Sequence, residues 1–180
     1  FSGGKGIRGP QNTGIIVGEP EWIDRIAAIS APHQAFGRPM KTSKEAIVGL
    51  LKAVELMMEE DYEAFYKTMY SGLESLISKL FSAADPIPDI FEAPYILPTG
   101  RHGQPYPRAV FSLRSTRPGA RKRFMKALME GGEPPILVGP LDESERAFYV
   151  NPFGFQSDEE YSIVAARIRE ESWRWKDNGA

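Results

Sequence analysis

At 180 residues, with 42% hydrophobic and 26% charged positions, the chain is sized for one domain, or one domain and a small second lobe, and its composition excludes a disordered or fibrous protein. Its 22 Lys and Arg against 24 Asp and Glu leave a net charge of −2, which argues against nucleic-acid and acidic-membrane partners, and the absence of cysteine removes disulfides, Cys-type zinc sites and thiol nucleophiles. No run approaches the roughly 20 apolar residues of a membrane span and no signal-peptide pattern is present, so a cytoplasmic location is expected.

The chain opens on its richest glycine stretch, Ser2-Gly3-Gly4-Lys5-Gly6-Ile7-Arg8-Gly9-Pro10-Gln11, and a functional loop so placed leads us to expect a missing upstream portion. Ile15-Ile16-Val17, apolar and β-branched between Gly14 and Gly18, predicts a short buried strand. Pro20 in a first helical turn and Trp22, Ile23, Ile26 and Ala27 behind it predict a short amphipathic helix. A loop follows to Met40 and ends at Thr42 and Glu45, which have capping-box spacing.

From Lys44 to about Glu59 the positions Ile47, Val48, Leu51, Val54 and Met58 recur with helical period. Asp61 restarts a second helix bearing Phe65, Met69, Leu73, Leu76 and Leu80. The proline-rich stretch 83–106 predicts irregular or short edge-strand structure at a lobe boundary. Beyond it come a strand over 109–113 and a helix entered through Pro118, with Phe124, Leu128 and Met129 on one face and Gly131-Gly132 as its stop. Strands over 135–138 and 146–151 follow. Ser157-Asp158-Glu159-Glu160 then caps a final helix with Ile163, Val164, Ile168 and Trp173 inside. The fold class is α/β, ending in an α+β lobe with helices on one side of a short sheet.

The chemistry concentrates at Lys5. Flanking glycines let backbone N–H groups approach an anion, and a lysine so placed serves either as a point charge against phosphate or as an amine that forms a Schiff base with a carbonyl. The nucleotide phosphate loop requires Ser or Thr after its Gly-Lys, and here Gly6 follows Lys5. A flexible turn with a solvated lysine is the plain alternative. His33 and His102 lack the spacing of a metal pair, so no metal is expected. Arg114, Arg117, Arg121, Lys122 and Arg123 either read an anion or form a solvated helix face.

The order of residues in the segment from Ser2 to Gly14, followed by the predicted strand, resembles the lysine segment of the selenocysteine synthase-like family of fold-type-I pyridoxal-phosphate enzymes, a group that includes the D-glucosaminate-6-phosphate ammonia-lyases. Gly37-Arg38-Pro39-Met40-Lys41-Thr42-Ser43-Lys44-Glu45, leading into Ile47-Val48-Gly49, resembles the family's next segment. Gly132-Glu133-Pro134-Pro135-Ile136 and Tyr149-Val150-Asn151-Pro152 are similar to its C-terminal lobe.

The resemblance implies that residues 1–43 end a pyridoxal-phosphate-binding large domain of the aminotransferase-like fold, 44–82 are linking helices and 83–180 are the small C-terminal domain. It implies a lyase or transferase acting on an amino acid, by removal of the α proton with β-elimination or replacement. Lys5 would be the Schiff-base lysine and the acid and base at the α carbon. Ser2, Gly4, Gly9 and Gln11 would join Lys5 in holding pyridoxal 5'-phosphate. Arg8 departs from selenocysteine synthase, which is glycine-like there; it and Arg38 would face an anionic group of the substrate, or Arg8 would form a surface ion pair. Homodimers or larger assemblies follow from the family. The acidic partner of the pyridine nitrogen precedes the lysine in such enzymes and is not located in this sequence. The alternatives are therefore a non-catalytic C-terminal packing or dimerisation segment of such an enzyme, or a simple phosphate-binding module.

Overall fold

The computed structural model describes residues 1–100, 102–142 and 144–177. The chain divides into two compact units, Phe1–Asp61 and Tyr62–Ala180. Among the described residues no helix is long and apolar enough to cross a membrane.

The first unit holds the glycine-rich loop, helix α1 (Pro20–Ala28), a short 3-10 turn at Arg38–Met40 and helix α2 (Lys44–Glu59). Pro20 does open α1, as its fixed φ allows. The strand predicted at 15–17 does not form. Ile15 exchanges backbone hydrogen bonds with Phe1 and Gly14 bridges Ser2, but past that point no strand pairs with the run among the described residues, and Ile16 and Val17 stay about two-thirds exposed. An apolar β-branched run needs a ladder partner to become a strand. At α2 the cap is Ser43, whose hydroxyl accepts from the Ala46 N–H at 3.2 Å, in place of the predicted Thr42. Ala46 is the one buried residue of α2, while Ile47, Val48, Leu51 and Met58 are each more than half exposed.

The second unit carries the core. Helix α3 (Tyr62–Leu80) buries Met69, Gly72, Leu73, Leu76 and Leu80, a 3–4 periodic stripe as predicted from the leucine spacing. Strands β1 (Tyr95–Leu97), β2 (Arg108–Ser112), β3 (Gly139–Pro140) and β4 (Ala147–Val150) form an antiparallel sheet in the order β1-β2-β4-β3, with Phe111 opposite Phe148 and Val110 opposite Tyr149. Helices α4 (Ala120–Glu130) and α5 (Asp158–Asp177) complete the unit.

Alternation along the central strands sorts two faces. Ala109, Phe111, Phe148 and Val150 join the helices in the main core, and Val110 and Ala147 turn to a smaller cluster with Leu141. Phe124 of α4 sits between Phe91, Phe148 and Trp175, with ring centroids 5.4–5.6 Å away. Each fully buried phenylalanine contributes about 1.5–3 kcal/mol of transfer free energy.

In the second unit three details differ from the sequence reading, the first being Met129, which is 50% exposed and not on the buried face of α4 with Phe124 and Leu128. No strand forms over 135–138: Pro134 and Pro135 have no N–H to offer a ladder, and the Ile136 N–H is taken by the Leu128 carbonyl at 3.0 Å. Trp173 is 44% exposed and Trp175 takes the core position instead, because the helical stripe from Ile168 continues at i+7.

Arginines of α5 bind C-terminal carbonyls of two other helices. Arg169 donates to Lys79 and Leu80 at the end of α3, and Arg167 and Arg174 donate to Leu128 and Gly131 at the end of α4. Glu171 lies among them, 5% exposed, with its Oε2 3.6 Å from the Arg174 guanidinium and without a hydrogen bond. Burial pushes its carboxyl above the usual range, against the pull of Arg174 and Arg167.

Candidate functional site

The glycine-rich loop is a closed structure held by its own backbone. Gly3 N–H donates to the Thr13 carbonyl at 2.9 Å, Gly9 N–H to Gly3 at 2.8 Å, and Arg8 N–H to Lys5 at 2.8 Å, so residues 5–8 make a tight turn at the loop's tip. Gln11 Nε2 donates to the Gly4 carbonyl at 3.0 Å, and Thr13 Oγ1 to Pro10 at 2.6 Å. Glycine is required at position 4, where a Cβ would come within 2.5 Å of the Gln11 Cα. The loop packs on α2, with Pro10 against Gly49 and Gly9 against Leu50 and Ala53.

Lys5 stands exposed at this tip, beside Gly6, whose own Cβ position faces open space. The amine is therefore presented on a hydrogen-bonded loop. The loop also brings Gly4 and Gln11 together and holds Ser2 by its bridge to Gly14. The N–H groups of Gly3, Arg8 and Gly9 are engaged inside the loop.

Arg8 adopts φ 60, the one non-glycine residue with positive φ among those described. For a residue with a Cβ the left-handed conformation costs about 1–2 kcal/mol. Its guanidinium Nη2 meets Glu60 Oε2 at 2.6 Å, with the two side chains 47% and 23% exposed. A partly exposed ion pair of this kind contributes up to about 1 kcal/mol.

Ile7, Arg8, Gly49, Lys52, Ala53, Leu56, Glu59 and Glu60 line a recess of about 750 Å³ beside the loop. It is open to solvent, and its walls combine apolar side chains with two cations and two carboxylates. Lys52 also pairs with Glu55 at 3.2 Å, one turn along α2. Neither Glu60 nor Lys52 is signalled by local spacing, since the Arg8–Glu60 contact spans 52 residues of sequence.

Arg38 lies in the 3-10 turn, its guanidinium donating to the Pro32 carbonyl. His33 and His102 are exposed, and among the described residues no group of His, Asp and Glu could hold a metal ion. The arginine cluster of the second unit is structural where its contacts are seen. Arg121 donates to the carbonyls of Leu141, Ser144 and Ala147, Arg114 pairs with Asp89 at 2.9 Å, and Arg123 lies over the Trp175 ring.

No family model matches the chain. Over 170 residues, 94% of its length, it is 26% identical to the D-glucosaminate-6-phosphate ammonia lyase of Salmonella typhimurium (strain 14028s / SGSC 2262), and it spans 42% of that protein. A solved structure of D-glucosaminate-6-phosphate ammonia-lyase superposes on it with a TM-score of 0.61 and 24% identity, covering 96% of this chain and 42% of the other. The chain is thus homologous to, and folded like, part of an ammonia-lyase.

Proposed function

We propose that the chain carries the lysine segment of a pyridoxal-phosphate-dependent lyase of the selenocysteine synthase-like group, built on the fold-type-I architecture and acting on an amino acid. The observation that carries this reading is the hydrogen-bonded loop with Lys5 exposed at its tip, taken together with the likeness to an ammonia-lyase. The residues present fit the cofactor: an exposed primary amine for its aldehyde, and the Ser2 hydroxyl, Gly4 and the Gln11 amide on the same loop. Bound there, pyridoxal phosphate supplies the electron sink for chemistry at the substrate's α carbon.

What the chain's own residues do is narrower. Lys5 holds the cofactor and moves the proton at the α carbon, Gln11 buttresses the loop through the Gly4 carbonyl, and Arg8 and Arg38 offer guanidinium groups to an anionic part of the substrate. A site of this group is completed by a second subunit, so a homodimer is part of the proposal. Transfer rather than elimination is the variant within it.

The test is an absorbance spectrum of the chain with pyridoxal phosphate, then borohydride reduction and peptide mapping. The reading expects a single reduced adduct on Lys5 that Lys5→Ala abolishes. Label scattered over surface lysines, or unchanged in Lys5→Ala, refutes it.

A second reading is favoured by the exposed apolar residues of α2 and by the 42% span of the relative: the chain is a packing segment that acquires chemistry only with the rest of such an enzyme. Label on Lys5 that forms only after adding a polypeptide corresponding to the relative's unmatched part distinguishes the two.

A further inference from the structure

We propose that Arg108 and Tyr149 form a binding site for the carboxylate of a small molecule, on the face of the sheet turned away from the helices. The site belongs wholly to the second unit and stands or falls apart from the lysine loop. Arg108 opens β2 and is 7% exposed, yet among the described residues no carboxylate meets its guanidinium. Its Nε donates to the Thr99 carbonyl at 2.9 Å, and its Cζ lies 4.8 Å from the Tyr149 ring centroid. A carbonyl and a ring face soften the charge without neutralising it, and a buried charge left without an opposite one is costly. Arg167, at 3% exposure, shows the ordinary solution: it meets Glu170 and donates to the Pro134 carbonyl.

The unpaired atoms face outward. Among the described residues Glu171 Oε2 is the one fully buried side-chain polar atom without a partner, so the Nη atoms of Arg108, which donate to no described group, reach solvent. The guanidinium is thus held at its Nε and over one ring, and its two-nitrogen edge is left open, the edge that grips a carboxylate with paired donors. Strand alternation puts Arg108 on one face with Val110, and Tyr149 stands opposite Val110, so the fork and the phenol share that face. The Tyr149 hydroxyl also has no partner among the described residues. Its ring is fixed in turn, since a Cβ at Gly139 would come within 2.6 Å of Tyr149 Cε2 and Oη, and glycine there lets the ring lie across β3. Leu97 and Leu141, in the apolar cluster of the same face, offer a surface to the ligand's carbon skeleton. One positive charge and one hydroxyl match a monoanionic carboxylate, whereas phosphate, with about −1.5 to −2 charge at neutral pH, calls for a second cation.

The experiment titrates acetate and, separately, inorganic phosphate into the full chain at constant ionic strength. Binding is read by nitrogen-15 NMR at the Arg108 Nε–H, identified by its absence from Arg108→Met, and at the Ala109 and Val110 amides in the variants. Acetate is expected to shift these resonances saturably, with phosphate about tenfold weaker or more. Arg108→Met should abolish the response, Arg108→Lys should weaken acetate about tenfold by losing the fork, and Tyr149→Phe about threefold. Circular dichroism confirms that each variant is folded, and Tyr149→Phe, which removes only an unpaired hydroxyl, keeps the test open if an Arg108 variant does not fold. No saturable shift with acetate, phosphate binding as tightly as acetate, Arg108→Met responding like the parent, or Tyr149→Phe binding acetate as the parent does overturns the proposal.

Discussion

Gly72→Ala sets helix propensity against packing, and the packing should win. Gly72 lies inside α3, where alanine is intrinsically better by about 1 kcal/mol. A Cβ there, however, would meet Cζ, Cε2 and Cε1 of Tyr161 at 2.3, 2.5 and 2.7 Å, so glycine is what lets α3 and α5 approach so closely. The ring has little room to retreat, being 5% exposed and braced edge-on against Phe155 at 4.7 Å. Overpacking of this kind costs about 1–3 kcal/mol, and three ring atoms inside contact distance place it at the upper end. The net expectation is a loss of about 1–2 kcal/mol, read as a lower urea midpoint with an unchanged slope. Tyr161→Leu opens the space, so the double variant should lose less than the sum of the singles by about 1 kcal/mol or more. A Gly72→Ala protein more stable than its parent, or strictly additive singles, refutes the reasoning.

Phe124→Ala should cost about 3–5 kcal/mol in equilibrium unfolding, since it empties the centre of the aromatic cluster; a loss below about 1 kcal/mol would show that the cluster collapses to fill the gap. Arg121→Met removes a charged donor from the carbonyls of Leu141, Ser144 and Ala147, for about 1.5–3 kcal/mol, with faster amide exchange confined to the turn before β4. Glu171 gives a pH signature of definite sign. Its folded carboxyl titrates above the unfolded value of 4.5, so between those two values the native state holds a proton that the unfolded chain has lost, and stability falls as pH rises through that window. Glu171→Gln should flatten the fall, as measured by urea unfolding across pH 4–7. The Tyr161 hydroxyl, pushed up to about 12 chiefly by burial and then by Asp158 and Glu160, adds a second decline between its usual 10 and that value, which Tyr161→Phe should remove.

The elements that sequence pattern located well are those whose pattern and burial agree. The α3 leucines, the Phe111 strand and the Gly131 stop of α4 each carry a local period or a local breaker, and the structure places them accordingly. The run at 15–17 and the run at 135–138 failed for one reason: a strand needs a partner's N–H and C=O groups, which apolar composition does not reveal. The Thr42 cap lost to Ser43 by one residue, because either hydroxyl can serve and the helix start decides between them. At the site, Lys5 and its glycines are legible because loop chemistry is local. The Arg8–Glu60 contact is not, since it depends on how the loop folds back on the end of α2. The departure at Arg8 was visible as an unusual residue, and its positive φ supplies the physical content.

The arginines of α5 also set an order of assembly. Arg167, Arg169 and Arg174 close the carbonyl ends of α3 and α4, yet they follow both helices in the chain. During synthesis α3 and the sheet emerge with those ends still hydrated, and the terminal turns gain their final partners only when α5 docks. The last helix closes those ends and completes the core together, since Ile168 and Trp175 arrive with the arginines, so a nascent or truncated chain that stops before Arg167 should hold the strands of the sheet in a frayed, protease-sensitive form.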